Sequence, residues 1–201
     1  MDELTLLQAV RLKGRVRPEA LAATLDTDEL CANLTVKQLT EAGLLTDGKT
    51  IRLSSDGRTR LTELLADERS NVDDDAIVRC YDEFRGVNRD FKVLVSDWQL
   101  KDGAPNDHAD ADHDAAVLNR LGGVHRAVLP ILAAVTEQLP RLDAYAAKLS
   151  AALDRIQAGD TTWFTRPLVD SYHTVWFELH EELIGAAGLT REDEAASGLD
   201  E

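Results

Sequence analysis

The chain has 201 residues, of which 44% are hydrophobic and 29% are charged, and its formal net charge is −15 at pH 7. These values are typical of a soluble globular protein of one or two domains, and they exclude a wholly disordered chain. No apolar run approaches the roughly 18 residues of a membrane span, no secretory signal is visible and two cysteines make no disulfide framework, so we expect a cytoplasmic protein without a membrane contact.

The charge is distributed unevenly along the chain. Residues 1–66 contain nine Lys or Arg and ten Asp or Glu, whereas residues 67–201 contain 13 basic and 27 acidic residues. This change predicts two domains, 1–68 and 69–201. The acidic second domain would repel the phosphates of a nucleic acid, whereas the nearly neutral first domain would do so much less.

The first domain is predicted to contain three helices, a short β-hairpin and a fourth helix. Apolar residues at three- and four-residue spacing, together with capping residues, place the first three helices at 3–12, 18–25 and about 27–42. Alternating residues around an Asp-Gly turn predict the hairpin over 44–53. A serine cap then begins the fourth helix, which runs to about residue 66.

Three motifs in this region resemble the winged-helix domain of MarR-type and related bacterial transcription regulators. They are Leu21-Ala22 in the second helix, the L-x-x-x-G-L run from Leu39 to Leu44, and the run from Leu53 to Arg58, which is similar to the L-T-x-x-G-R that follows a wing. The resemblance covers about residues 4–66. It implies that the third helix enters the major groove of DNA and that the wing contacts the backbone or the minor groove.

By this resemblance, eight side chains would face DNA. The third helix would present Cys31, Asn33, Leu34 and Lys37, the wing Lys49 and Arg52, and the following helix Arg58 and Arg60. The third helix, however, begins with acidic residues and lacks arginine, the usual reader of guanine. Because acidic residues at a helix start also offset the helix dipole, two interpretations stay open: a DNA-binding domain, or a module that docks on another protein.

The second domain is predicted to be an all-α bundle whose longest helix covers about 72–100. We expect this helix to form a homodimer. Asn88 lies between Phe84 and Phe91 on the apolar side of this helix. It is either a buried amide that sets the register of the dimer or a polar residue at the edge of the apolar side. The apolar stripe comprises Ile77, Tyr81, Phe84, Phe91, Val95 and Trp98.

The middle of the second domain is predicted to be a solvated acidic loop, then an Asp-rich helix start, followed by two helices. Residues 101–115 have almost no apolar content, and a metal site among their histidines and aspartates is a minor alternative to a solvated loop. A helix over about 115–137 should be bent or split at Gly122-Gly123 and Pro130. The next helix covers about 140–158.

The segment 161–188 contains an aromatic helix that we predict to begin near Pro167. Its residue pattern suits a pocket for a small effector molecule. The spacing of Asp170, His173 and His180 also suggests part of a metal site. The alternative is a core helix with neutral, hydrogen-bonded histidines at its edge, and we predict neither a bound metal nor a cofactor. The residues of the predicted pocket are Trp163, Tyr172, His173, Trp176 and His180.

Two further resemblances concern the second domain. A winged helix followed by an acidic helical domain is similar to GntR-type regulators with an FCD effector domain, which hold a metal near an organic acid. Asp170, His173, Leu183 and the run from Gly185 to Gly188 are similar to one helix of that domain. The run DSYHTVWFELHEELI, which begins at Asp170, looks like a segment of actinobacterial proteins associated with phosphoenolpyruvate-utilising enzymes.

The sequence carries no catalytic signature: it has no phosphate-binding glycine loop, no nucleophile elbow and no Cys-X-X-Cys pair. We therefore expect a dimeric DNA-binding transcription regulator, not an enzyme, with a small-molecule effector site and a flexible tail after about residue 189. One alternative is a winged-helix interaction module in an accessory subunit of another enzyme, such as a phosphoenolpyruvate-utilising one. A second is a metal-binding sensor or enzyme that uses Asp170, His173 and His180.

Overall fold

The computed structural model describes residues 2–167 and 169–196, and it confirms that the protein is mainly helical. The chain divides into two compact units, Met1–Val72 and Asp73–Glu201. This division lies close to residue 68, where the change in charge places it. None of the described helices is both long enough and apolar enough to cross a membrane.

The first unit is built from short helices with capped ends. The Asp2 carboxylate accepts a hydrogen bond from the Thr5 amide at 2.7 Å at the start of the first helix, and Asp28 accepts one from the Cys31 amide at 3.0 Å at the start of the third. Pro18 occupies the first turn of the second, where no backbone donor is needed. In the described part of this unit the helices are α1 (Glu3–Lys13), α2 (Pro18–Thr24), α3 (Glu29–Glu41) and α4 (Ser55–Arg69).

The segment between α3 and α4 folds back on itself as two antiparallel arms. Leu45 and Leu53 form a single antiparallel bridge, and the Thr46 amide donates to the Arg52 carbonyl at 2.9 Å. Another bridge joins Ile51 to the connection between α1 and α2. Where the sequence predicts a hairpin, the described residues of this unit therefore contain isolated bridges and no longer strand.

An aliphatic core holds the first unit together, and no aromatic residue occurs in it. Burial of each leucine, isoleucine or valine stabilises the fold by roughly 1.5–3 kcal/mol. Because the apolar residues of α3 face this core, the opposite face of α3 is left to solvent. The buried members of the core are Leu6, Leu7, Ala9, Val10, Val16, Leu21, Val36, Leu39, Leu45, Ile51, Leu53 and Leu61.

The second unit has longer helices and an aromatic core. Its described helices are α5 (Asp74–Gln99), α6 (Ala111–Gln138), α7 (Ala144–Gln157), α8 (Thr162–Thr165), α9 (Tyr172–Ala186) and α10 (Arg191–Ala196). A small antiparallel hairpin of β1 (Leu100–Lys101) and β2 (Ala104–Pro105) follows α5, and a 3₁₀ turn at Pro140–Leu142 precedes α7. Helix α5 packs along α6 and also contacts α9, which packs against α7 and α8.

Helix α6 is continuous, so of the two predicted alternatives at Gly122-Gly123 and Pro130, a bend or a split, the split is wrong. Pro130 is exposed, and the Arg126 carbonyl that loses its amide partner belongs to an exposed residue. The helix therefore accepts a proline without leaving a buried polar group unsatisfied. The glycine pair stays helical between Leu121 and Val124, which are both buried in the core.

The acidic segment 101–115, predicted to be a loop and then an Asp-rich helix start, contains regular structure at both ends. Strands β1 and β2 pair at its start, and α6 begins within it. The Asp110 carboxylate caps α6 by accepting from the amides of Asp112 and His113, both at 3.1 Å, and it also contacts Lys101 Nζ at 2.6 Å. The hydrogen bond from Lys101 lowers the pKa of Asp110 to about 2, so the cap is charged at neutral pH.

Helix α9 begins later than predicted because a serine caps it. The Ser171 hydroxyl accepts from the Thr174 amide at 3.4 Å, so the helix starts at Tyr172 rather than near Pro167. The residues before it form the separate short helix α8 instead of extending α9.

The C-terminal segment also differs from the prediction of a flexible tail after residue 189. Residues 191–196 form α10, and the Thr190 hydroxyl accepts from the Asp193 amide at 3.1 Å while the Asp193 carboxylate accepts from the Thr190 amide at 2.9 Å. This reciprocal pair is a helix start signal. The remainder of the predicted tail, 197–201, lies outside the described residues.

Candidate functional site

The solvent-facing side of α3 is the first candidate site. Asn33 and Lys37 are exposed on it, and the Leu34 side chain is 53% exposed. Cys31 is half-buried and contributes less to this surface. Leu30, which the sequence analysis did not select, is 69% exposed and adds a second leucine to the same side of the helix. The surface therefore combines two polar side chains with an apolar pair.

The acidic residues at the start of α3 have a structural role. The Asp28 carboxylate caps the helix by accepting from the Cys31 amide, and Glu29 lies in the first turn, where a negative charge offsets the helix dipole. Asp26 adopts a positive φ of 46° in the connection before the helix. These charges explain the beginning of α3 without reference to a ligand, and they would repel a phosphate placed next to them.

Three of the predicted phosphate contacts are exposed. Lys49 and Arg52 lie on the arms between α3 and α4. Arg58 lies on α4, and its Nη1 donates to the Leu53 carbonyl at 3.3 Å. This hydrogen bond holds the Arg58 guanidinium against the backbone of the residue that follows Arg52.

Arg60 has a different environment from the other cations. Its Nε and Nη2 atoms donate to the two carboxylate oxygens of Glu3, both at 3.1 Å, and its Nη1 donates to Glu63 at 3.4 Å. Arg60 therefore ties α4 to α1. It would have to release Glu3 before it contacted a phosphate, so we leave Arg60 out of the candidate surface.

The second candidate site is a groove of about 260 Å³ between α5 and α9. Its wall contains several aromatic rings, a single formal charge (Lys92) and no carboxylate. The α5 side consists of Asn88, Phe91, Lys92, Val95, Ser96 and Gln99. The α9 side consists of His173, Trp176, Phe177 and His180, so three of the five residues predicted to form an effector pocket lie here.

The two other residues of the predicted pocket lie elsewhere. Tyr172 is fully buried, and its hydroxyl is 3.2 Å from His125 Nδ1 on α6. Trp163, on α8, packs against the Arg155 guanidinium, whose carbon is 3.9 Å from the centroid of the indole ring. Contrary to the prediction, neither lines the groove, because Tyr172 faces α6 and Trp163 belongs to α8 rather than to α9.

Asn88 is buried in the wall of the groove, with 6% of its surface exposed, and a single hydrogen bond fixes its orientation. Trp176 Nε1, which can only donate, lies 2.8 Å from Asn88 Oδ1. The amide nitrogen of Asn88 is therefore turned away from the indole N–H, and no acceptor for it exists among the described residues. Asn88 is thus engaged within its own unit, whereas we expected it to act in a dimer or at a polar edge.

The two histidines of the groove differ in their environments. His173 is half-buried and stacks on Phe91 with 6.1 Å between ring centroids. Burial lowers the pKa of His173, so its ring is neutral at pH 7. His180 is fully buried, and its Nε2 lies 2.9 Å from Glu194 Oε1 on α10, which also accepts from the Tyr81 hydroxyl at 2.6 Å. His180 therefore helps to hold α10 in place.

A metal site built on Asp170, His173 and His180 finds no support in the part of the chain that the structure describes. Within it, no three His, Cys, Asp or Glu side chains are grouped closely enough to hold an ion. His108, in the acidic segment, instead packs against Trp98 with 4.5 Å between ring centroids.

The apolar stripe of α5, the helix that we expected to form a homodimer, is covered within the second unit. Phe84 and Phe91 stack on Trp176 of α9, with ring centroids 5.3 and 4.4 Å apart. The exposed apolar side chains of α5 are instead Val78 (46%) and Val93 (53%). A homodimer that involves α5 must therefore use residues outside the predicted stripe.

Comparisons with models of protein families, with characterised proteins and with solved structures found no match to this chain. Its function has to be inferred from the two candidate sites themselves.

Proposed function

We propose that the protein is a dimeric, DNA-binding transcription regulator of the winged-helix type, with a small-molecule effector site in its helical unit. The order of elements in the first unit carries this proposal: three helices, two antiparallel arms joined at Leu45 and Leu53, and a fourth helix. In helix-turn-helix proteins with this order, the third helix reads the major groove.

The exposed side chains of the first unit suit this role. Asn33 on α3 can donate to and accept from an adenine edge, and Lys37 can contact guanine or phosphate. Lys49 and Arg52 on the arms supply two further cations for phosphates. Because one such unit makes few base contacts, we propose that two copies bind two half-sites, which raises the effective concentration of the second unit.

Selection from a random-sequence duplex library, followed by fluorescence anisotropy of the enriched DNA, tests the proposal. We expect binding that weakens as salt is added. The double variant Lys49→Ala/Arg52→Ala should bind more weakly and reduce the slope of log K against log[salt] by about two. The matched control, Arg79→Ala/Arg89→Ala, removes the same charge from exposed positions of α5 and should bind like the wild type. No enrichment of any duplex, or equal losses in the two variants, would contradict DNA binding.

A second function is favoured by the leucine pair on α3. Leu30 and Leu34 are one helical turn apart and are 69% and 53% exposed, which is more typical of a protein-docking surface than of a helix in the major groove. In this case the first unit would dock on another protein, as in an accessory subunit of an enzyme such as a phosphoenolpyruvate-utilising one. Co-purification from the source cells would then be lost in Leu30→Gln/Leu34→Gln and kept in Lys49→Ala/Arg52→Ala.

A further inference from the structure

We propose that a second copy of the chain binds to the outer face that α5 and α6 form together, and that α5 of each copy packs on α6 of the other. The inference deepens the proposed function and rests on it only in taking the protein to be a dimer. The tests use the full chain without DNA, so a failure of this interface and a failure of DNA binding are distinguishable.

A groove of about 560 Å³, here called the outer groove, runs between α5 and α6 on their exposed side. Its α5 wall includes Asp90 and Val93, and its α6 wall includes Arg120, Gly123 and Arg126. The Val93 side chain is 53% exposed, so an apolar side chain lies uncovered beside the groove. Gly123 has no side chain, which leaves room in the opposite wall.

The two helices run antiparallel, and two contacts show which of their residues lie side by side. At the start of α5, the Asp73 amide donates to Gln138 Oε1 at the end of α6, at 3.0 Å. Near the other end of α5, Asp97 accepts from Arg120 Nη1. Residues between these contacts therefore follow one another in opposite order along the two helices.

The charged and apolar residues of the outer groove occur in matched pairs. Counted from the Asp97–Arg120 ion pair, Val93 is four residues away on α5 and Gly123 is three away on α6. Asp90 and Arg126 are seven and six residues away on the same two helices. Because an α-helix rises by about 1.5 Å per residue, the members of each pair lie at nearly the same height along the helices.

A twofold axis along the outer groove joins these pairs between two copies. It places α5 of one copy opposite α6 of the other and keeps every residue at its own height. Asp90 then faces Arg126 of the other copy, twice in the dimer, and Val93 faces the space at Gly123. The four helices alternate in direction, as in an antiparallel four-helix bundle.

Both charges of the intermolecular pair are available. Among the residues that the structure describes, Asp90 and Arg126 form no ion pair, and both are exposed. Arg120, in contrast, is already paired with Asp97 of its own chain. The outer groove thus offers one uncompensated charge of each sign, which is what a self-complementary surface requires.

The net charge of the second unit restricts where two copies can meet. Residues 73–201 contain 12 basic and 25 acidic residues, so most of their surfaces repel one another. With Asp97 counted beside the charged residues of the outer groove, two carboxylates and two guanidinium groups cancel. Helix α6 also carries no charged side chain over 127–136. This face is therefore suited to meet its own copy.

The outer face is large enough for a specific dimer. Helices α5 and α6 have 26 and 28 residues, which corresponds to a length of about 40 Å. Two packed helices present a strip roughly 20 Å wide. Contact over about 30 Å of this strip would bury about 600 Å² per copy, or about 1,200 Å² in total, which is the lower end of the range for specific complexes.

Sedimentation equilibrium of the wild type and of two charge-reversed variants is the direct test. We expect a wild-type dimer with a dissociation constant in the micromolar range or below. Asp90→Arg and Arg126→Asp should each weaken dimerisation at least tenfold, because each turns both attractive contacts of the dimer into repulsive ones. The two variants change the net charge in opposite directions, so an effect of net charge cannot weaken both.

An equimolar mixture of Asp90→Arg and Arg126→Asp identifies the pairing itself. In the mixed dimer each contact again joins an arginine to an aspartate, so the mixture should associate at least tenfold more tightly than either variant alone. The matched control is Asp143→Arg, which reverses an exposed carboxylate before α7 and should dimerise like the wild type. A monomeric wild type, unchanged variants or a mixture that stays monomeric overturns the proposal.

Val93→Glu tests the apolar part of the interface and decides if a charge-reversed variant does not fold. Because Val93 is 53% exposed, the variant should keep the circular dichroism spectrum of the wild type and lose the dimer. A wild-type dimer that Val93→Glu leaves intact overturns this interface, although the protein would then still be the dimer that the proposed function requires.

Discussion

His125 lies in a chain of hydrogen bonds that determines which of its nitrogens carries the proton. The Ser150 hydroxyl donates to the Ala146 carbonyl at 2.8 Å, so its oxygen is left to accept from His125 Nε2 at 3.4 Å. His125 Nδ1 is then the acceptor for the Tyr172 hydroxyl at 3.2 Å. This chain fits the neutral form of the ring, because a protonated ring has no acceptor for Tyr172.

The second unit should lose stability as the pH falls from 7 to 5. Burial lowers the pKa of His125, with a smaller opposing effect of Asp154 and a smaller lowering effect of Arg126, and burial also lowers the pKa of His173. An unfolded histidine titrates near pH 6.5, so below about that pH the unfolded chain binds more protons than the folded one. The stabilisation that the neutral histidines provide is complete above about pH 6.5, and it is lost as the pH falls below that value toward the lowered pKa of the folded state.

The measurement is urea unfolding followed by tryptophan fluorescence at pH 5, 6 and 7. Each histidine adds at most about 1.4 kcal/mol per pH unit to the slope of the free energy of unfolding. His125→Gln should reduce this slope, and the double variant with His173→Gln should reduce it further. The explanation is refuted if His125→Gln keeps the full slope, whatever its absolute stability.

The sequence could indicate which residues share a helix face, but not which partner covers that face. The period of α5 correctly placed Phe84, Asn88 and Phe91 on one side. Their cover is Trp176, 88 positions after Asn88, and no local pattern reports such a distance. For the same reason the sequence suggests that a second copy of the chain packs on this helix, whereas α9 of the same chain covers its apolar stripe.

The junction between the α3–α4 arms and α4 is held by a serine and a glycine. The Ser54 hydroxyl donates to the Gly43 carbonyl at 2.6 Å and accepts from the Gly57 amide at 2.9 Å, and the Ser54 amide donates to the Leu44 carbonyl at 3.0 Å. Gly57 lies so close to the same segment that a Cβ atom on it would clash with the Leu44 carbonyl oxygen. The glycine of the Leu53–Arg58 motif therefore has a packing reason that is independent of DNA.

Gly57→Ala should destabilise the first unit by about 1–3 kcal/mol, the usual effect of overpacking. The contact is with backbone atoms of Leu44, which cannot move aside as a flexible side chain can. The control is Thr59→Ala, at an exposed position of the same helix. Urea unfolding followed by far-ultraviolet circular dichroism should show a lower midpoint for Gly57→Ala only; equal midpoints would contradict the close approach.

Helix starts were predictable to within a few residues, but the capping residue was not always determined by the sequence. The apolar spacing places the start of α1 correctly at residue 3. For α4 the sequence offers Ser54 or Ser55 as the cap, and the structure uses Ser54. For α9, Pro167 and Ser171 are both starting signals, and the side-chain cap of Ser171 determines the first residue. The groove could be predicted only in part, since Asn88 and Lys92 contribute from α5, far from the histidine helix that indicated a pocket.

At the scale of the whole molecule, the two units differ in charge and in aromatic content. Residues 1–72 contain ten basic and 12 acidic residues, whereas residues 73–201 contain 12 and 25. All three tryptophans, at 98, 163 and 176, belong to the second unit. Tryptophan fluorescence therefore reports the second unit alone, while far-ultraviolet circular dichroism reports the helices of both.

This difference predicts that salt stabilises the two units unequally. Like charges in the second unit repel one another when the screening length is about 30 Å, as at 0.01 M salt, and repel far less when it is about 8 Å, as at 0.15 M. Thermal unfolding followed by fluorescence should therefore shift to higher temperature between these two conditions. The nearly neutral first unit has no tryptophan, so its unfolding changes the circular dichroism signal but not the fluorescence. The midpoint temperature of that part of the circular dichroism transition should shift much less. Equal shifts of both signals would mean that a general effect of salt outweighs repulsion within the acidic unit.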